Sequence, residues 1–201
     1  MDTEFEAKFF PIKKEEFRKK LKQIGARQLF PERKMRRAIA DRRANPHINC
    51  DYIRVRDEGN LIRLSAKVHA EEKGSVGDQK EIDVQVTDFD RTIQIFKEAG
   101  LKFNRYQETL RETWEFDGVE ITIDTWPGLP TSTEIEAKSE KKVREVAEKL
   151  GFSWDKKIIT ATPEIFAKYY GLSIDEILDK MSNITFENNP FENLKRAKNE
   201  S

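Results

Sequence analysis

Two short segments far apart in the chain are nearly identical: Glu4-Phe5-Glu6-Ala7-Lys8 and Glu134-Ile135-Glu136-Ala137-Lys138. On a β-strand alternate side chains point to opposite faces, so each copy sets two acids and a lysine on one side and apolar residues on the other. Such a strand must keep one face on a core and offer the other to water, counter-ions or a charged ligand. Two carboxylates beside an ammonium suit metal ions and a polyanion far better than a core.

The same alternation runs through most of the chain. Tyr52 to Arg56 and Leu61 to Val68 flank Asp57-Glu58-Gly59-Asn60, and Gln107 to Phe116 and Val119 to Thr125 flank Asp117-Gly118. Both read as hairpins. Glu81 to Val86 is another alternating strand, and Gln28 to Ala40 is a less clearly patterned one. Helices are expected from Glu15 to Ile24, after a cap at Asp88 or Asp90, and after a Ser139 cap, each closed by glycine (Gly25, Gly100, Gly151). Thr162-Pro163-Glu164 starts a fourth helix, and the capping box Ser173-Ile174-Asp175-Glu176 starts a fifth. Residues 70–79 read as a polar loop and the Asn-, Glu- and Lys-rich end as a loosely held tail. About eight mostly antiparallel strands with a few helices make an α+β pattern. A first domain over residues 1–171 and a short helix with polar tail over 172–201 are expected.

The charges are sorted along these strands. Acids are doubled at Glu4 and Glu6, at Glu81 and Asp83, and at Glu134 and Glu136, while the hairpins carry Arg54, Arg56, Arg63, Lys67, Arg105 and Arg111. On alternation alone, an open sheet with a wet charged face is the simpler reading. Segregation by sign favours a second one, an eight-stranded antiparallel β-barrel with flanking helices whose charged face lines a water-filled tunnel. Clustered carboxylates there call for cations, and clustered arginines for a multiply charged anion. Mg²⁺ or Mn²⁺ with a phosphate chain meets both demands. The twin acidic strands are then expected as two walls of one site, with the basic hairpins between them.

In this order, Glu4-x-Glu6-x-Lys8, Arg54-x-Arg56, Lys67, Glu81-x-Asp83, Arg111, Asp124 and Glu134-x-Glu136 resemble the CYTH superfamily, the triphosphate tunnel metalloenzymes. The resemblance covers roughly residues 1–170. It implies a metal-dependent triphosphate hydrolase acting on tripolyphosphate, ATP or thiamine triphosphate, with class IV adenylate cyclase as an alternative. A non-catalytic polyphosphate or nucleotide sensor is a further one. Carried over, Lys8, Arg54, Arg56, Lys67 and Arg111 would hold phosphates, and Glu4, Glu6, Asp124, Glu134 and Glu136 would bind Mg²⁺ or Mn²⁺. Glu4, Glu6, Lys8 and Glu136 would be catalytic, and Glu81 and Asp83 would support the basic side chains. The chain departs from the pattern at the basic segment Arg33-Lys34-Met35-Arg36-Arg37 and at Thr109, where many members carry lysine; an extra phosphate clamp and a solvated strand both account for the basic segment.

Lys+Arg and Asp+Glu both number 37, so the formal net charge is zero, which argues against a nucleic-acid partner. A lone cysteine, Cys50, excludes a disulfide framework and a zinc cluster. No apolar run is long enough to span a bilayer, and no signal peptide precedes the first motif, so a cytoplasmic protein without membrane contact is expected. A homodimer is compatible with all of this.

Overall fold

The structure, a computed structural model, describes residues 2–69 and 79–197; the side chains of residues 2–4, 69, 79 and 80 are outside the description. The expected loop at 70–79 therefore lies outside the described residues except at its last position. Along the chain come β1 (Asp2–Phe9), α1 (Lys14–Gln23), β2 (Arg27–Asp41), β3 (Tyr52–Asp57), β4 (Ile62–His69), β5 (Gln79–Val86), α2 (Phe89–Glu98), β6 (Arg105–Phe116), β7 (Val119–Thr125), β8 (Ser132–Ala137), α3 (Glu140–Lys149), α4 (Thr162–Tyr170), α5 (Ile174–Lys180) and the short β9 (Asn183–Ile184).

The strands follow one another in the order β2-β3-β4-β5-β1-β8-β7-β6, and β2 also pairs with β6, so the antiparallel sheet closes on itself. Closure removes the exposed strand edges that an open sheet would leave. The β1–β5 seam is short, covering only Asp2–Glu4 against Glu81–Gln79. Further along β1, the edge at Lys8 is instead covered by Ile158, through backbone bonds of 2.9 and 2.8 Å. The β6–β7 turn is the expected two-residue one, with Asp117 and Gly118 both at positive φ (53° and 75°). That conformation matches the strands' twist and favours Asn/Asp followed by Gly.

Outside the barrel, α1 and α3 bury the apolar face of β1, β7 and β8, where Phe9, Leu21, Ile121, Ile135 and Val146 meet. Glu112 points outward into this layer. It is fully buried and satisfied by Arg18 of α1 (2.9 and 2.6 Å) and by the Trp114 indole N–H (2.6 Å). The caps are as expected: Asp88 accepts from the Arg91 amide, Ser139 from Lys142, and Ser173 and Glu176 form the capping box.

Helix α2 leaves its own strand and packs on β2 and β3, where Phe89 and Ile93 meet Ala38 and Val55. The expected apolar reverse face of β5 is therefore only partly covered, with Ile82 and Val84 about half exposed (50% and 51%). The C-terminal stretch is better packed than its polar composition suggests. Ile184 and Phe191 are buried with Trp126, Phe166, Ile177 and Met181. Gly128 permits the approach, since a Cβ there would stand 2.8 Å from that of Phe191.

Candidate active site inside the barrel

The strand alternation sends the charged faces inward. They line a cavity of about 440 Å³, together with Phe10, Ile39, Tyr52, Trp126, Leu129, Ile165 and Met181. The twin motifs are neighbours rather than opposite walls. β1 and β8 run antiparallel with Glu6 beside Glu136 and Lys8 beside Glu134. Strand alternation fixes which face a residue takes, whereas closure of the barrel decides which strands meet.

This pairing gathers acids. One carboxylate oxygen each from Glu6, Glu134 and Glu136 lies within 4.8 Å of the others. On one octahedral Mg²⁺ neighbouring oxygens stand about 3 Å apart and opposite ones about 4.2 Å, so the three would draw closer together to share a divalent ion. The donor set, all hard oxygen, suits Mg²⁺ or Mn²⁺. The cluster already attracts a cation, because the Lys8 ammonium stands 2.5 Å from Glu6 and 3.1 Å from Glu134. Burial alone would lower the Lys8 pKa, but the charges of Glu134 and Glu6 outweigh it and hold it above its ordinary range. Burial likewise opposes ionisation of Glu134, yet Lys8 and Arg111 keep that carboxyl well below the usual range. The Glu4 side chain lies outside the described residues.

The remaining expected ligand, Asp124, is held in an ion pair. It is clasped by Arg111 through two bonds of 2.6 and 2.9 Å and accepts from the Thr122 hydroxyl (2.7 Å). Arg111 in turn reaches to 3.6 Å from Glu134, linking Asp124 to the cluster.

The basic side chains face the same space. Arg54 and Lys67 share Glu81, at 2.8 and 2.5 Å. Burial would raise the Glu81 carboxyl, but these two cations bring it down to about 2. Arg56 bonds Glu58 (2.8 Å from Nε), which also takes Arg63 at 3.2 Å. Burial, with the neighbouring charges of Arg54 and Arg111, lowers Arg56 to about 10. Asp83 accepts from Ser65 and lies 3.6 Å from Arg63. Glu81 and Asp83 thus lie against basic side chains of β3 and β4.

Four charged cavity residues lie outside the sequence candidates: Arg37, Arg63, Arg105 and Glu120. Strand alternation accounts for the inward face of Arg63, Arg105 and Glu120. Arg37 was hidden in the basic run of β2. Its guanidinium donates to the Thr109 hydroxyl at 2.8 Å, so a cation from β2 lies beside this position of β6.

Residues 2–161 match the CYTH domain family model, and the chain belongs to that family. Its fold is shared with a conserved hypothetical protein from Pyrococcus furiosus (21% identity, TM-score 0.66, covering 80% of this chain and 98% of that one). A candidate adenylate cyclase from Vibrio parahaemolyticus is similar at 13% identity and TM-score 0.69, with 83% and 98% covered. The PH1012 protein from Pyrococcus horikoshii OT3 is similar at 18% and 0.65, with 79% and 96% covered. No curated protein matches significantly. CYTH proteins typically act on triphosphates with divalent metals, and an acidic cluster is present here. No helix among the described residues is long and apolar enough to cross a membrane.

Proposed function

We propose that this protein is a divalent-metal-dependent hydrolase of a linear triphosphate, either tripolyphosphate or a nucleoside or other organic triphosphate. The observation that carries the reading is the division of one cavity into an acidic wall, Glu6, Glu134 and Glu136, and a basic lining from β3, β4 and β6. Glu6, Glu134 and Glu136, with Glu4 on the same strand as Glu6, would hold one or two Mg²⁺ or Mn²⁺ ions. Bound there, the metal would polarise phosphoryl oxygens and lower the pKa of the attacking water. Arg54, Arg56, Lys67 and Arg111 hold the phosphate oxygens in line, the arginines by two-pronged contacts and the lysine as a point charge. Lys8 neutralises charge on the phosphate nearest the acids. Water adds to the terminal phosphorus, the bridging P–O bond breaks, and orthophosphate and a diphosphate leave.

A second reading has a specific observation in its favour. Phe10, Ile39, Trp126, Leu129, Ile165 and Met181 give the cavity an apolar part that an inorganic chain does not use. In a cyclase of class IV type that part would receive the nucleoside, and the ribose 3′-hydroxyl would attack the α-phosphorus. Incubation with ATP or tripolyphosphate and Mg²⁺ or Mn²⁺ separates the two. Phosphate release without cyclic AMP supports the hydrolase, and cyclic AMP with pyrophosphate replaces it with the cyclase. Activity undiminished by EDTA would sink both.

Arg56→Ala should act chiefly on binding, raising KM by roughly 10- to 100-fold, the equivalent of losing a charge-assisted hydrogen-bonded contact. Glu58 keeps Arg63 as a partner, so the fold should survive. Unchanged KM and kcat would mean that β3 does not present Arg56 to the substrate.

A further inference from the structure

We infer that Arg37 is an anion-binding residue of the tunnel, taking a phosphate oxygen of the triphosphate jointly with Arg56; this rests on the triphosphate reading and assigns it a residue outside the sequence candidates. Arg37 is only 8% exposed, yet among the described residues it has no carboxylate within ion-pair distance. The cavity's other arginines all have one: Arg54 has Glu81, Arg56 and Arg63 have Glu58, Arg105 has Asp41 and Arg111 has Asp124. A buried charge without a counter-charge is costly and persists where something else will pair it.

Register sharpens the point. Arg37 on β2 stands directly opposite Arg56 on β3, and both line the cavity. Like charges directly opposite across strands repel. An anion between them turns that repulsion into a two-sided clamp.

The guanidinium is also held ready. Its Cζ lies over the Trp126 ring, 4.7 Å from the centroid, and one Nη donates to Thr109 at 2.8 Å. Its Nε, buried, makes no hydrogen bond. A planar cation fixed on an aromatic face with a donor to spare is preorganised for an oxyanion. Burial, and then the charges of Arg56, Arg54 and Arg111, pull its pKa well below the ordinary range, with Asp124 opposing. The charge is held at a cost in the empty protein, and an anion would remove that cost.

The place in the cavity gives the anion's character. Trp126, on which Arg37 stacks, belongs to the apolar lining with Leu129, Ile165 and Met181. Arg37 therefore marks the border where charged lining gives way to apolar, the position of an end of the phosphate chain.

The test is calorimetric binding of inorganic tripolyphosphate in EDTA, with melting temperatures of the empty and saturated proteins, for wild type, Arg37→Met and Arg37→Lys. Arg37→Met should weaken tripolyphosphate by roughly 10- to 100-fold, the loss of a charge-assisted contact. The empty Arg37→Met protein should melt no lower than wild type, because a repelling buried charge has gone. Arg37→Lys should retain part of the affinity. Binding by Arg37→Met within twofold of wild type overturns the assignment. A lowered melting temperature of the empty variant with its tripolyphosphate-induced gain intact also overturns it, in favour of a packing role on Trp126. Wild-type protein that fails to bind tripolyphosphate with or without Mg²⁺ counts against the triphosphate reading itself.

Discussion

Glu136→Gln is expected to lower kcat for phosphate release by about a thousandfold, some 4 kcal/mol of barrier, with a melting temperature in metal-free buffer within a few degrees of wild type. The two halves of this result have one origin. Glu136 stands opposite Glu6 on β1 and opposite Glu120 on β7, so three acids form a row across three adjacent strands. Like charges in such a row oppose folding unless cations intervene. An isosteric amide removes one charge and leaves the strand pairing untouched, which protects the fold. The same change turns one of the three anionic ligands gathered within 4.8 Å into a neutral amide, a much weaker partner for a divalent ion. Wild-type protein should therefore gain thermal stability from Mn²⁺ by mass action, and Glu136→Gln should lose most of that gain. A variant with wild-type kcat and an undiminished Mn²⁺ shift would remove Glu136 from the metal site. A collapse of the metal-free melting temperature would make it a structural residue instead.

Most of the architecture is legible in the chain because strand alternation is local. Arg54, Arg56, Lys67, Glu81 and Glu134 take the inward face that period two assigns, and Asp117-Gly118 forms the turn that positive φ requires. Long-range matters are less legible. That β1 lies against β8, making neighbours of the twin motifs, depends on barrel closure, and the short β1–β5 seam carries little sequence signal. Asp124 reads as one more acid in the metal set, and the ion pair it makes with Arg111, its cross-strand neighbour, follows from a register that the alternation alone does not fix. Strand β2 is the least legible. Its register against β6 shifts between Gln28 and Phe30 and again before Arg33, which breaks the period. Beyond the shifts, adjacent Arg36 and Arg37 take opposite faces, Arg36 toward Asp57 and Phe89 outside and Arg37 into the cavity. A run of five residues carrying four bases gives no hint of which is which. The tail misleads for another reason: Phe191 and Leu194 are few among polar neighbours, yet Trp126 and Phe166 supply an apolar surface for them.

Glu81→Gln should be strongly destabilising, costing about 3–5 kcal/mol because it neutralises the carboxylate that two buried cations share. For a chain of this size that is a fall in melting temperature of roughly 10 °C. Arg54 and Lys67, 8% and 7% exposed, both pair with this carboxylate, at 2.8 and 2.5 Å. The effect should depend on pH with a defined sign. A carboxyl held at about 2 in the folded protein contributes stability that is fully present above the ordinary glutamate range. That contribution is lost as pH falls toward 2, since wild-type Glu81 then takes up a proton as well. The gap between wild type and variant, measured by urea unfolding, should be widest near neutrality and narrow between pH 4.5 and 2. A gap that stays constant over that range would locate the cost in packing rather than charge. Tripolyphosphate gives the decisive comparison. If Arg54 and Lys67 face the same ligand, a polyanion replaces the missing carboxylate and should raise the melting temperature of Glu81→Gln more than that of wild type. Equal gains would mean that the two cations are tied to Glu81 alone and that the phosphate chain lies elsewhere. A larger gain would identify Glu81 as the group that restrains these cations until the substrate arrives, so that part of the fold's stability is held in contacts that the ligand competes for.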